Sequence, residues 1–189
     1  MDTIDPTHQT DFRRLLGRFC TGVCIVTTRD GDDEVVGFAC QSFSGLSLDP
    51  PMVLISVMSS SRTLPHLLAR DEFAVSVLAE GAEDISSVVG SRAEDKFAAV
   101  PLAETPSGLP VVEGSLAWFD CSVASVVEGG DHIVILGRVR SAGAAEGGGR
   151  PLLFFEGRYT EMHDPVIAPT PSGDQLASLL TAAGPGTWF

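Results

Sequence analysis

The chain has 189 residues, 44% of them apolar, which is enough for one domain with its own core and no need of disulfide or metal support. A formal net charge of −13 argues against non-specific binding to nucleic acid or to an anionic membrane surface, both of which need excess Lys and Arg. Any anionic ligand of so acidic a chain must be met by donors gathered locally.

Residues 1–9 show no periodicity and read as a flexible lead-in. They are polar and acidic rather than basic and apolar, and no run of about 18 apolar residues follows, so a cytoplasmic protein is expected. Asp11 is placed to cap a helix in which Phe12, Leu15, Leu16 and Phe19 recur at helical spacing; the stripe reads as core and Gly22 as the stop. Val23 to Thr28 is a β-branched strand that turns through an acidic tip into a second strand, Glu34 to Cys40. Phe43, Leu46 and Leu48 mark a third, irregular strand. After Pro50-Pro51, the apolar run Met52 to Val57 reads as a strand buried on both faces. Serines 59–61 and Thr63 lead into a short helix ending at Arg70, where such residues serve either as ordinary caps or beside a bound phosphate.

A strand from Phe73 to Leu78 precedes a helix from Ala82 to Val89 with Ile85, Val88 and Val89 inward. A polar link, Ser91 to Phe97, leads to a Pro- and Gly-rich loop over 101–114, long enough to suggest a lid, a partner-facing surface or a solvated excursion. Leu116 to Val127 and His132 to Val139 form a hairpin about the turn 128–131. Residues 141–150 read as a flexible connection, Leu152 to Phe155 as the last strand, and 163–189 as a Pro- and Gly-rich tail. Cys20, Cys24, Cys40 and Cys121 lie in apolar segments without zinc-ligand spacing, so they are expected as buried free thiols and no metal site is expected. Many strands with few helices indicate a mainly β barrel, and the absence of Gly-x-Gly-x-x-Gly between strand and helix speaks against a dinucleotide-binding α/β domain.

The run from Ser42 to Pro51, SFSGLSLDPP, followed by Ser61-Arg62-Thr63, resembles the signature of the short-chain NAD(P)H:flavin oxidoreductases, the reductase components of two-component flavin-dependent monooxygenases. Phe12-Arg13 through Thr21-Gly22-Val23, then Gly130-Asp131-His132, then Pro151 to Phe155 with Gly157 and Tyr159, match at the expected order, so the resemblance covers about residues 10–162. It implies a six-stranded Greek-key split barrel of the FMN-binding type that forms a homodimer, with a flavin site near the subunit interface. It also implies hydride transfer from NADH to FAD or FMN, with reduced flavin passed to a separate monooxygenase. NADH is favoured because no arginine cluster stands out for a 2′-phosphate, and FAD is preferred to FMN.

Carried over residue by residue, Phe38, Ala39, Cys40, Gln41 and Ser42 would line the flavin ring, and Ser47 would reach its ribityl chain or phosphate. Ser59, Ser61, Arg62 and Thr63 would hold the phosphate, and Lys96 and Phe97 match a Lys-Phe pair beside the flavin. Gln41 stands where relatives commonly have asparagine, which keeps the amide but changes its reach. His132 would face the nicotinamide with Asp131 fixing its turn, and Arg158 and Tyr159 would belong to the same pocket. His8, His66 and His163 have no such context and read as surface residues. Two other functions suit the same barrel. One is reduction of a corrinoid or iron acceptor through tightly held flavin; the other is non-catalytic binding of flavin or haem.

Overall fold

The computed structural model describes residues 3–162, so the expected tail over 163–189 lies outside the described residues. The elements are α1 (Gln9–Leu16), β1 (Thr21–Gly22), β2 (Cys24–Arg29), β3 (Val35–Cys40), β4 (Ser44–Leu48), β5 (Pro51–Met58), α2 (Leu64–Arg70), β6 (Glu72–Val77) and α3 (Glu83–Gly90). They continue with β7 (Leu102–Glu104), β8 (Pro110–Val112), β9 (Ala117–Gly129), β10 (His132–Ala144), β11 (Leu153–Phe155) and β12 (Arg158–Thr160). The principal sheet is antiparallel with order β3-β2-β6-β9-β10-β5-β4, seven strands against the expected six. The mainly β class of the split-barrel type is as expected.

β2 divides the core. Cys24 and Val26 join Val53, Ile55, Val57, Phe73 and Ile135 on one side, while Val23 and Ile25 join Leu78, Val89, Val112 and Leu152 on the other. Both faces of β2 are therefore buried, and full burial of Ile25 and Val26 contributes about 1.5–3 kcal/mol each. The expectation of a doubly buried strand was placed on residues 52–57 instead. There only Val53, Ile55 and Val57 are buried and the alternate residues are half-exposed, because β5 pairs β10 and β4 over a core on one face.

Other expectations are corrected by packing. The 101–114 stretch is a hairpin of β7 and β8, not an open loop; Leu109, Val111 and Val112 are buried, and the Val112 N–H donates to Ser76 Oγ at 3.0 Å. Thr105 and Ser107 donate to Asp120, which is fully buried and also receives Arg140 Nε at 2.7 Å. Burial alone would raise the Asp120 pKa, but these hydrogen bonds and the guanidinium charge hold it below the ordinary carboxylate value. Three-residue strands are too short to show a period of two, which is why this hairpin is invisible in the sequence.

α1 begins after His8 and ends before Gly17, so Asp11 lies in its first turn and does not cap it, and Gly22 belongs to β1. Its apolar stripe is not core: Phe12, Leu15, Leu16 and Phe19 are 45%, 48%, 59% and 77% exposed. In α3 the buried residues are Ser86 and Val89 while Val88 is exposed, because Ser86 accepts a hydrogen bond from Tyr159 and turns that face inward. β10 runs on to Ala144, paired with Ala117, through the first four residues of the expected connection. Cys24 and Cys121 are buried, but Cys40 is half-buried and Cys20 exposed. Among the described residues no helix is long and apolar enough to cross a membrane.

Candidate active site

A cleft of about 2230 Å³ lies along β3. β3 is an edge strand of the principal sheet, so its outer backbone N–H and C=O groups are not used by the ladder. One flank is Met58 at the end of β5 and residues 60–63 after it, with His66 of α2 and the 91–97 link. The other is the end of α1, together with β1 and the turn between β11 and β12. The small sheet β1-β11-β12, with Thr21 opposite Phe154 and Phe154 opposite Tyr159, joins motifs that are more than 130 residues apart in sequence.

Phe38, Ala39, Cys40, Gln41 and Ser42 all line this cleft, as do Ser61, Arg62, Thr63, Lys96, Phe97, His132, Arg158 and Tyr159. Three expected residues do not. Ser47 sits in β4 at the opposite edge of the sheet, whereas Ser59 and Asp131 are bound to one another outside the lining, Ser59 Oγ donating to the Asp131 carbonyl at 2.8 Å. That bond ties the end of β5 to the hairpin tip, where Gly130 takes the left-handed conformation the tight turn requires, with φ of 76°.

Several hydroxyls expected to face a ligand have protein partners. Thr63 is buried and donates to the Gly37 carbonyl at 3.1 Å, tying the start of α2 to β3. Ser42 Oγ accepts from Ser56 N–H at 2.9 Å and donates to the Ser56 carbonyl at 3.1 Å, stitching the chain after β3 onto β5. Among the described residues Ser61 keeps its own proton free, accepting only a 3.3 Å contact from Thr63 N–H. Arg62 donates to the carbonyls of Arg92 and Ala93 at 3.0 and 3.2 Å and thereby folds the 91–97 link over the cleft. Lys96 is partly desolvated there and feels the Arg62 charge, both of which hold its pKa below the ordinary lysine value. Phe97 lies against Gly37, where any Cβ would meet the Val26 carbonyl and stand 2.8 Å from the ring, so this aromatic packs on β3 because residue 37 is glycine. Burial pushes the Cys40 thiol up to about 11, which makes it a neutral apolar contact rather than a nucleophile.

His132 opens β10 at the mouth of the hairpin. Its Nδ1 is 2.7 Å from the Asp131 carboxylate, which can only accept, so Nδ1 carries the proton and Nε2 is left for another partner. The hydrogen bond from His132 and its charge hold the Asp131 pKa below the ordinary value, with Arg13 adding to the effect. Tyr159 donates to Ser86 Oγ at 3.0 Å and packs edge-on against Phe154, so its hydroxyl braces α3.

The charge distribution is the site's strongest feature. Seven of the 12 basic residues line the cleft (Arg13, Arg14, Arg18, Arg62, Arg92, Lys96 and Arg158), but of the acidic residues among those described only Glu94 and Glu156 do. A positive cleft in a protein of net charge −13 focuses attraction on anions at this one place. Arg13, Arg14, Arg18, Arg92 and His66 were not among the expected site residues. The only sequence signal was the scarcity of basic residues elsewhere, and their convergence is a property of the fold.

Residues 16–163 match the model of the flavin reductase like domain. The chain is 46% identical, over its full length and 94% of the relative, to the flavin-dependent monooxygenase reductase subunit HsaB of Rhodococcus jostii. Among solved structures it superposes with a TM-score of 0.82 on nitrilotriacetate monooxygenase component B from Mycobacterium thermoresistibile, at 42% identity over 92% of this chain and 97% of that one. It superposes equally, with a TM-score of 0.82, on a Streptomyces globisporus NADH:FAD oxidoreductase solved with NAD and FAD fragments, at 32% identity over 89% of this chain and all of the other.

Proposed function

The chain belongs to the family of flavin reductase-like domains, and on that premise we propose that it is an NADH-dependent flavin reductase, using FAD in preference to FMN. It passes a hydride from the nicotinamide to the flavin and supplies the reduced flavin to a separate flavin-dependent monooxygenase. The observation that carries this reading is the cationic cleft running along an unpaired strand edge beneath His132.

The donor set fits the two substrates. The free edge of β3, over Phe38 to Cys40, offers backbone donors and acceptors to a flat heteroaromatic ring, and Cys40 and Ala39 keep side chains there small. Arg62, Lys96 and the Ser61 hydroxyl supply the charge and hydrogen bonds a phosphate needs. The ligands themselves supply the hydride donor and acceptor, and the chain's task is to hold two rings face to face. His132, oriented through Nδ1 by Asp131, presents Nε2 to the second ring. Phe97 and Gly37 keep β3 and the 91–97 link in register beneath them.

A homodimer belongs to the same reading. Phe12, Leu15 and Leu16 on α1 and Phe19 just after it are at least 45% exposed, and a second copy of the chain would cover this apolar stripe beside the cleft. Steady-state oxidation of NADH and NADPH with FAD, FMN and riboflavin in turn tests the function. Turnover is expected with NADH and added FAD. A yellow protein that oxidises NADH without reducing added flavin would point instead to reduction of another acceptor, and absence of any NADH oxidation to a binding role.

A further inference from the structure

The positive charge in the cleft falls into two groups. Arg62, Arg92 and Lys96 lie together, since Arg62 is bonded to the Arg92 carbonyl at 3.0 Å and its charge acts on Lys96. The second group is built where α1 meets the turn between β11 and β12. The Glu156 N–H donates to the Gly17 carbonyl at 2.9 Å and Arg18 pairs with Glu156 at 2.8 Å, which sets Arg158, two residues on, beside the end of the helix that carries Arg13 and Arg14. Arg14 and Arg18 have carboxylate partners, Asp11 and Glu156. Arg13 and Arg158 make no side-chain hydrogen bond or ion pair among the described residues, and both are exposed to the cleft. Of the chain's 25 acidic residues none is spent on them among the described residues.

The hairpin tip stands between the groups. His132 pairs with Met58 at the end of β5, four residues before Arg62, while Arg13 lies close enough to Asp131 to act on its carboxyl. Cations without a carboxylate partner, in so acidic a protein, gain when an anion joins them.

Resting on the flavin reductase reading, we propose that Arg13 and Arg158 form a second anion subsite, distinct from the one at Arg62, that receives the diphosphate of the nicotinamide dinucleotide. A reaction between two phosphorylated substrates in one cleft must hold two polyanions at once, and separate cationic groups let each be neutralised without crowding the other. The diphosphate is several bonds from the nicotinamide, so anchoring it beside the hairpin leaves the ring free to reach His132. Arginine suits the task because its planar fork meets phosphate oxygens two at a time.

The test uses full-length protein and ADP-ribose, which has the diphosphate but no nicotinamide. Calorimetric titration at low ionic strength should show binding to the wild type, about ten-fold or more weaker binding to Arg13→Gln/Arg158→Gln, and partial recovery in Arg13→Lys/Arg158→Lys. FMN affinity should stay within about two-fold in all three proteins. In kinetics the double Gln variant should raise the apparent KM for NADH more than it lowers kcat. Its loss in kcat/KM should be at least about five-fold smaller with N-benzyl-1,4-dihydronicotinamide, a hydride donor without phosphate. Wild type that binds no ADP-ribose, or a double variant that binds it unchanged, overturns the subsite. So does a variant that weakens FAD while sparing the KM for NADH, which would assign the arginines to the flavin's own diphosphate. If the wild type oxidises no NADH, the reductase reading fails by itself and the ADP-ribose titration still decides the subsite.

Discussion

Replacing Thr63 by valine separates the architecture of the cleft from its ligand contacts. The Thr63 side chain is 94% buried by its 6% residual exposure, and its hydroxyl donates to the Gly37 carbonyl at 3.1 Å. Valine keeps the shape and removes the donor, leaving a carbonyl of the cleft-lining strand without that partner. Loss of a buried hydrogen bond with its acceptor left behind costs about 1–2 kcal/mol. For a protein of this size that lowers Tm by about 3–7 °C. Ser61→Ala is the contrast, because the Ser61 proton has no acceptor among the described residues. It should leave Tm within about 2 °C and weaken flavin binding about five- to thirty-fold, the equivalent of about 1–2 kcal/mol. Urea unfolding of the ligand-free proteins and calorimetric flavin titration measure the two effects separately. A Thr63→Val protein as stable as wild type, with flavin binding lost, would show that the hydroxyl serves the ligand and that the reasoning from its buried bond is mistaken.

Three further outcomes are expected. His132→Ala should lower kcat/KM for NADH about ten-fold, or about 1.4 kcal/mol of transition-state stabilisation, with flavin affinity and Tm near wild type because the Asp131 pair is exposed; stopped-flow flavin reduction checks this, and unchanged NADH kinetics would remove the ring from the site. Asp120→Asn should cost about 2–4 kcal/mol, since it breaks a buried carboxylate's bonds to Thr105, Ser107 and partly exposed Arg140. The Asp120 pKa is depressed in the folded state, so its contribution is complete above the unfolded value of about 3.9 and is lost as pH falls through the folded value below that. The stability gap between wild type and Asp120→Asn should therefore be flat at neutral pH and close in acid; a gap independent of pH would contradict the ionised pairing. Phe12→Ser/Leu15→Ser should convert a dimer to a monomer of 19.9 kDa in sedimentation, and a wild type that already sediments as a monomer would refute the covered stripe.

Much of this architecture is legible in the sequence because strand signals are local. β2, β3, β6, β9 and β10 fall where β-branched runs and turn residues place them, and the motif residues Phe38 to Ser42, Arg62, Lys96 and His132 converge on one cleft. What escapes is whatever depends on packing at a distance. Burial of β2 on both faces follows from helices and strands far along the chain, and the β7–β8 hairpin is held by Asp120, 15 residues from Thr105. The hydroxyls of Thr63 and Ser42 look like ligand donors in sequence, yet Gly37 and Ser56 claim them across the fold. The α1 stripe has the spacing of a core helix but stands in solvent in the single chain, because periodicity reports an apolar face without saying what covers it.

Hydride transfer between NADH and a flavin held together in this cleft has a direct optical readout. Anaerobic mixing of the protein, limiting FAD and excess NADH, followed by the loss of the oxidised flavin's visible absorbance, tests it most directly. Rapid, complete bleaching is expected, slower with NADPH and returned to the unassisted rate when Arg62→Gln and His132→Ala are combined. Bleaching no faster than in protein-free solution would contradict it.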